Sequence, residues 1–384
     1  MSAASSPLEG LVVLDLSRVL AGPYATQLLA DLGAEVWKVE RPGSGDETRH
    51  WGPPFVGELS AYFVSVNRNK RSAAIDFAQP EGLAAVRRAA LAADVVVENF
   101  LPGDLARYGL DAAALRAERP ELVVCSITGY GQDGPYASLP GYDAVLQGFT
   151  GLQTLSGEEG GTGFKVGVAL IDVLSGTHAA AAILAALVGR LRGRGGAHLD
   201  VALFETAIHS MVNVTQAALA TGAPARRHGN AHPHIVPYQT FETADGALVV
   251  AVGNDGQWRR LCEALGEPGR ATDPRWSGNP GRVLHRAELV GWLAGRFREA
   301  PRAAWTERLA AAGVPCGPVR ELDEVVADPA LEARGMLRGV RLPDGTATRL
   351  LALPWRVGGE RPPLRDAPPR LGQHTAEFVA RFAG

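Results

Sequence analysis

Residues 11–40 read LVVLDLSRVLAGPYATQLLADLGAEVWKVE. Two short apolar runs, 11–16 (LVVLDL) and 35–40 (EVWKVE), bracket a stretch with helical spacing at 25–32. A strand of a parallel sheet is covered on both faces, so it reads as a near-continuous apolar run. The turn 17–23 opens the helix and Gly33 closes it, giving a βαβ unit of ordinary length. Further strands are expected at 72–77 (SAAIDF), 94–97 (DVVV), 122–127 (LVVCSI) and 198–203 (HLDVAL), with helices at 81–93 and 174–191. Alternation of this kind predicts an α/β fold with an open, doubly wound sheet.

After residue 203 the texture changes. A helical stretch (204–220) runs into a Gly/Pro/Arg-rich connector, and 238–252 reads as a hairpin around Asp245 and Gly246. The expected division is a large domain over 1–203, a linker over 204–224, a small α+β domain over 225–325, and a C-terminal segment over 326–384 that returns to the large domain. A formal net charge of −3 gives no reason to expect nucleic acid or an anionic membrane as partner. Cys125, Cys262 and Cys316 are far apart and form neither a CxxC pair nor a metal-ligand spacing, which fits a reducing cytoplasm. The N-terminal MSAASSPLEG lacks the basic and apolar regions of a secretory signal. The apolar stretch 166–188 is broken by Asp172, Ser175, Gly176 and His178. It reads as a buried strand end and core helix, not as a membrane span.

The first strand is followed by SRVLAGP and not by GxGxxG, which speaks against a nicotinamide dehydrogenase. No Walker loop, HExxH or GxSxG is present either. Four segments carry candidate chemistry. In KVGVALIDVLSG (165–176), Asp172 sits among apolar residues. A desolvated carboxylate is a strong nucleophile toward a thioester, and the neighbouring glycines let a substrate approach. Taken alone, however, the segment favours a plain helix cap. A carboxylate at a helix N-terminus is also stabilised as the anion. NRNKRS (67–72) puts three cations in four residues, suited to phosphate or to a solvated turn. VENFLPG (97–103) follows an apolar strand, where ligands of open α/β sheets bind. GYD (141–143) offers Tyr142 either to orient a substrate or to pack.

Together these segments resemble the class III CoA-transferase family. DLSRVLAGP (15–23), KVERPGSGD (38–46), NRNKRS, VENFLPG, SITGYGQDGP (126–135), the Asp172 segment, GVPCGPV (313–319) and LGQHT (371–375) match its motifs in order. The resemblance implies a Rossmann-like large domain drawing strands from both chain ends, a small domain, and a homodimer whose chains interlock like linked rings. It also implies coenzyme A, as acyl-CoA, for substrate, with a carboxylic acid as its partner. No metal and no redox nucleotide are implied. Asp172 matches the catalytic aspartate. Arg18, Val19, Leu20 and Ala21 match the CoA-contacting turn, and Arg41, Asn99, Phe100 and Arg107 match further CoA contacts. Ile75 matches the adenine lining, and Tyr142 and Asp143 match positions near the thioester.

The family's oxalate-acting members carry a tetraglycine loop. Here HGNAHPHIVPY (228–238) stands at that stage, which argues against oxalate and formyl-CoA. It resembles the branch acting on dicarboxylic acyl-CoAs such as succinyl-CoA, where Arg226, Arg227 and His228 would meet a distal carboxylate. His228, His232 and His234 lack a carboxylate partner, and Pro233 interrupts them, so metal binding is not expected. α-Methylacyl-CoA racemases share the fold but place a histidine before the Asp of the Gly-x-Asp segment. Here that residue is Tyr142, whose ordinary pKa near 10 suits proton exchange poorly. A transferase is therefore expected over a racemase. Asp172 itself counts against a catalytically silent CoA-binding protein.

Overall fold

The computed structural model describes residues 6–383. Residues 1–5, the start of the stretch read for a secretory signal, lie outside them. The chain divides into two compact units. One holds the described residues up to Leu152, then Val166–Gln216 and everything from Pro329 onward. The other holds Gln153–Lys165 and Ala217–Asp328.

In the first unit the opening segment forms β1 (Val12–Asp15), α1 (Ala21–Asp31) and β2 (Glu35–Glu40). There follow β3 (Lys70–Ala74), α2 (Pro80–Ala92), β4 (Val95–Glu98), α3 (Ala112–Glu118) and β5 (Val123–Thr128). Then come α4 (Asp143–Phe149), α5 (Leu170–Leu191) and β6 (His198–Ala202). The six strands make one parallel sheet in the order β3-β2-β1-β4-β5-β6. Chain direction across the sheet reverses at β1 and β4, so a crevice opens beyond their carboxyl ends.

Side chains alternate between two cores, as the period of two in a strand requires. Val13, Val95, Val97, Val123 and Cys125 pack with α1 and with Ile171, Ala179, Ile183 and Leu187 of α5. Leu14, Trp37, Val96 and Val124 pack with α2 and with Phe378 and Phe382 of the last helix, Thr375–Phe382. Helix α5 is long and apolar enough to cross a membrane, yet these contacts are those of a core helix. It meets α1 closely: a Cβ at Gly176 would lie 2.5 Å from the Ala21 carbonyl oxygen.

Three expectations are corrected. No strand precedes α5; residues 166–169 are irregular and the helix starts at Leu170, not at 174. The parallel sheet takes no strand from the C-terminal segment. That segment instead forms its own hairpin, Leu337–Arg341 with Ala347–Leu351. It then lies along β3, where the His374 amide donates to the Ser72 carbonyl at 2.8 Å and the Ala74 amide to Thr375 Oγ1 at 2.9 Å. Third, NRNKRS is no open cationic cluster. Arg68 Nε donates to Asp31 at 3.1 Å, and Lys70 is buried against Asp15 at 3.1 Å. Arg71 pairs with Glu377.

The second unit carries a three-stranded antiparallel sheet, with Tyr238–Glu242 and Ala247–Ala251 forming the hairpin and Cys316–Pro318 on its far side. Helices Asp255–Ala264, Arg286–Phe297 and Arg302–Ala311 cover it through Trp258, Phe297 and Trp305, and Trp276 joins the same core from a connecting turn. Residues 153–165 join this unit, although they were expected in the large domain. Gly163 there lies against Arg227, and Gln153 donates to the Gly163 carbonyl at 3.2 Å.

Buried charges under the crevice are paired. Burial pushes the Lys70 ammonium down to about 8, and Asp15 restores only part of its affinity for the proton. Removing one partner of such a pair leaves a charge buried alone. Lys70→Met is therefore expected to lower the unfolding free energy by about 3 kcal/mol. The urea midpoint measures this, and Lys70→Met/Asp15→Leu should recover most of the loss. A loss below about 1 kcal/mol in the single variant would mean that Lys38 alone neutralises Asp15.

Candidate active site

The loops beyond β1, β2, β4 and β5 border two adjoining cavities, of about 520 Å³ and 270 Å³, which share Arg18, Phe100 and Asp104. In total this is the size range of small-molecule and cofactor sites.

The larger cavity holds Arg41, Ile75 and Arg107. Phe77 stands edge-on to Tyr108 at 5.3 Å and to Phe100 at 6.1 Å, which gives one wall a flat aromatic character. Among the described residues no carboxylate pairs with Arg41 or Arg107, and both are exposed. Two guanidiniums without acidic partners beside an aromatic wall suit phosphate and a planar base. Arg18 is placed differently. It pairs with Glu47 and lies 5.6 Å above the Phe100 ring, at the junction of the two cavities.

The smaller cavity is lined by Arg18, Val19, Leu20, Ala21, Asn99, Phe100, Tyr142 and Asp172. The structure thus brings eleven of the twelve expected site residues to these cavities. Asp143 does not line either and does something else. Its Oδ1 accepts from the Ile171 amide at 2.7 Å and from the Asp172 amide at 3.3 Å, and its Oδ2 accepts from Gln147 at 2.6 Å. These amides belong to the first turn of α5, whose flanking residue, Ala169, offers no side-chain cap. Asp143 therefore supplies from a distance of 29 residues the cap that the sequence suggested for Asp172.

This frees Asp172. It sits in the first turn of α5, half-buried, with no hydrogen bond to its carboxylate among the described residues. Burial, and then the negative charge of Asp143, push its carboxyl up to about 7. The helix N-terminus was expected to favour the anion, but these two effects outweigh it. A carboxylate that is poorly solvated and still ionisable near neutrality is suited to nucleophilic attack.

Tyr142 is exposed at the start of α4 and lines the same cavity. Asn99 lines it too, but both ends of its amide are committed. Oδ1 accepts from the Arg18 amide at 2.9 Å and Nδ2 donates to the Arg18 carbonyl at 2.8 Å. Two participants escaped the sequence reading. Burial and the charges of Asp172, Asp143 and Asp46 push the Tyr62 hydroxyl up to about 12, so it stays a neutral donor near the site. Asp46, buried and paired with Lys38 at 2.9 Å, accepts from the Val19 amide at 3.2 Å. Nothing in AYFVSV flags Tyr62, whereas Asp46 ends a matched motif. Arg226, Arg227 and His228 belong to the second unit, and His228 is pushed below its usual range by burial and by Arg286. Among the described residues no group of three His, Cys, Asp or Glu gathers as a metal-ligand set.

A family model described as CoA-transferase family III matches residues 8–375. A succinate–glutarate CoA-transferase of Agrobacterium fabrum is 44% identical, over 98% of this chain and 96% of its own. A human succinyl-CoA:glutarate CoA-transferase is 40% identical, over 97% of this chain and 85% of its own. A crystal structure of a CAIB/BAIF family protein from Brucella suis superposes with a TM-score of 0.85 at 43% identity, covering 98% of this chain and 100% of that one.

The raised Asp172 carboxyl has a thermodynamic signature. Between its unfolded value of 3.8 and about 7, the folded chain holds a proton that the unfolded chain releases. Stability contributed by this group therefore falls as pH rises through that window. Asp172→Asn cannot ionise, so it is expected to raise Tm by about 2 °C or more at pH 8 and to leave it unchanged at pH 4. Scanning calorimetry at both pH values checks this; an equal shift at both would refute the raised carboxyl.

Proposed function

The chain belongs to CoA-transferase family III and moves coenzyme A between an acyl-CoA and a carboxylic acid, and from this premise we propose that Asp172 carries the acyl group. The observation behind the proposal is a carboxylate that accepts no hydrogen bond among the described residues, raised toward neutrality, in a cavity that adjoins one suited to a nucleotide.

Asp172 attacks the thioester carbonyl, the C–S bond breaks, and CoA leaves as thiolate. The product on the enzyme is a mixed anhydride. The thiolate then attacks the aspartyl carbonyl, expelling the donor acid and leaving an aspartyl-CoA thioester. The acceptor carboxylate attacks that carbonyl and expels thiolate again. Finally the thiolate takes the acceptor acyl group from the second anhydride and restores Asp172. Atoms and charge balance without ATP, because each acyl bond broken is replaced by another. Tyr62, a neutral hydroxyl, and the first amides of α1 are the donors available to developing oxyanions.

In this reading Arg41 and Arg107 hold CoA phosphates and Ile75 lines the adenine. Arg18, Val19, Leu20, Ala21 and Phe100 follow the rest of CoA toward Asp172, while Tyr142 orients the acyl end. Succinyl-CoA is the donor and a dicarboxylic acid such as glutarate the acceptor, in line with the names of the similar enzymes. The large unit is Rossmann-like, which its strand order supports. The enzyme works in the cytoplasm as an interlocked homodimer. Exposed apolar side chains on the first unit, among them Val145, Phe149, Val168, Leu191 and Val212, support a partner chain.

The test is an acceptor screen with succinyl-CoA and acetyl-CoA against mono- and dicarboxylates, read by mass spectrometry of the CoA products. Transfer from succinyl-CoA to dicarboxylates is expected, and Asp172→Ala should lower kcat by at least about 10⁴-fold while still binding CoA. Near-normal turnover in that variant would end the assignment. Deuterium wash-in at the α-carbon without an acceptor would point to racemase chemistry instead.

A further inference from the structure

We propose that Asn99 and Asp46 are positioning residues that hold a left-handed turn at Val19, and that this turn sets the wall of the cavity facing Asp172. The proposal rests on the reading of that cavity as the reacting one.

Val19 has φ of 69°, one of three non-glycine residues among those described with positive φ. For a β-branched side chain this region is strongly disfavoured, because Cβ crowds the following carbonyl. Such a conformation persists only where the surroundings over-determine it. Here they do so at a single peptide group. The bond joining Arg18 to Val19 presents a carbonyl on one side and an N–H on the other. The carbonyl accepts from Asn99 Nδ2 at 2.8 Å, and the N–H donates to the Asp46 carboxylate at 3.2 Å. That plane can turn only about ψ of Arg18 and φ of Val19, so gripping both of its ends holds the angle. The Arg18 amide, donating to Asn99 Oδ1 at 2.9 Å, fixes the next plane back.

Each grip is itself anchored. Asp46 is buried, paired with Lys38 at 2.9 Å and bonded to the Thr48 amide at 3.0 Å and hydroxyl at 2.7 Å. Lys38 also donates to the Ser17 carbonyl at 2.8 Å, two residues before Val19. Asn99 follows directly on β4. Strands β2 and β4, on either side of β1, thus converge on the turn that leaves β1. The next residues are Leu20, which flanks α1, and Ala21, its first residue; both line the cavity with Asp172. No side chain caps α1. A relaxed turn would swing Arg18 and the start of α1 away from the reacting carbonyl, at a cost in kcat and not chiefly in donor affinity.

A direct CoA contact by Asn99 predicts the opposite split. The experiment measures kcat and KM for succinyl-CoA in Asn99→Ala, in Val19→Gly, and in the double variant, with Asp172→Ala alongside. Asn99→Ala is expected to lower kcat about tenfold or more with little change in KM. Glycine adopts positive φ without penalty. Adding Val19→Gly to Asn99→Ala should therefore recover most of the lost kcat, whereas Val19→Gly alone should not raise it. A raised KM with kcat retained, no effect of Asn99→Ala, or no recovery in the double variant would overturn the proposal. Should Asn99→Ala fail to fold, Asn99→Asp keeps the shape and the acceptor but loses the donor to Arg18. The same recovery is expected there, and its absence is equally decisive. Turnover surviving in Asp172→Ala would overturn the reading of the cavity; a dead Asp172→Ala with no recovery by glycine would overturn only the clamp.

Discussion

The site depends on one ammonium group. Lys38 ends inside the protein, under the loops that leave the sheet, where it pairs with Asp46 and donates to the Ser17 carbonyl. Around it Asp15, Lys70 and Glu40 are also buried. Asp46 is held well down, to about 2, because Lys38 and the Thr48 donors outweigh its burial. Five charges in such a place contribute little net stability, because desolvation offsets most of the attraction. What they provide is direction. Each fixes a backbone group of a loop that would otherwise be free to turn, and these loops form the crevice.

The two carboxylates at the start of α5 show how environment divides labour between like groups. Asp143 takes the backbone donors of the first helical turn and serves as the cap. The Asp172 carboxylate, in that same first turn, takes none of them and feels the Asp143 charge. Desolvation and a like charge both disfavour its anion, which is the environment of a reactive carboxylate and not of a structural one. Position on the helix alone would not separate the two roles. The hydrogen bonds do.

Much of the first unit was legible because a parallel sheet leaves a simple trace. LVVLDL, EVWKVE, DVVV and LVVCSI are buried on both faces, and no surface pattern interrupts them. The start of α5 was not legible for the same reason. VGVALI before Asp172 is apolar throughout, and short apolar runs do not distinguish strand from helix. The pairs Arg68–Asp31 and Lys70–Asp15 join residues that the fold brings together over 37 and 55 positions. Sequence spacing shows three cations and hides their partners. Asp172 was singled out from its neighbours, but only the ordered motifs around it favoured a nucleophile over a cap. Asp143 as the actual cap could not be seen without the fold.

The proposed role of Asp172 as acyl carrier is a covalent one. The most direct measurement incubates the protein with succinyl-CoA alone, quenches in acid, digests it and maps the peptides by mass spectrometry. Coenzyme A is expected in thioester linkage on the peptide containing Asp172, discharged by hydroxylamine. An unmodified Asp172 peptide, under conditions in which transfer to an added acid proceeds, would contradict that role.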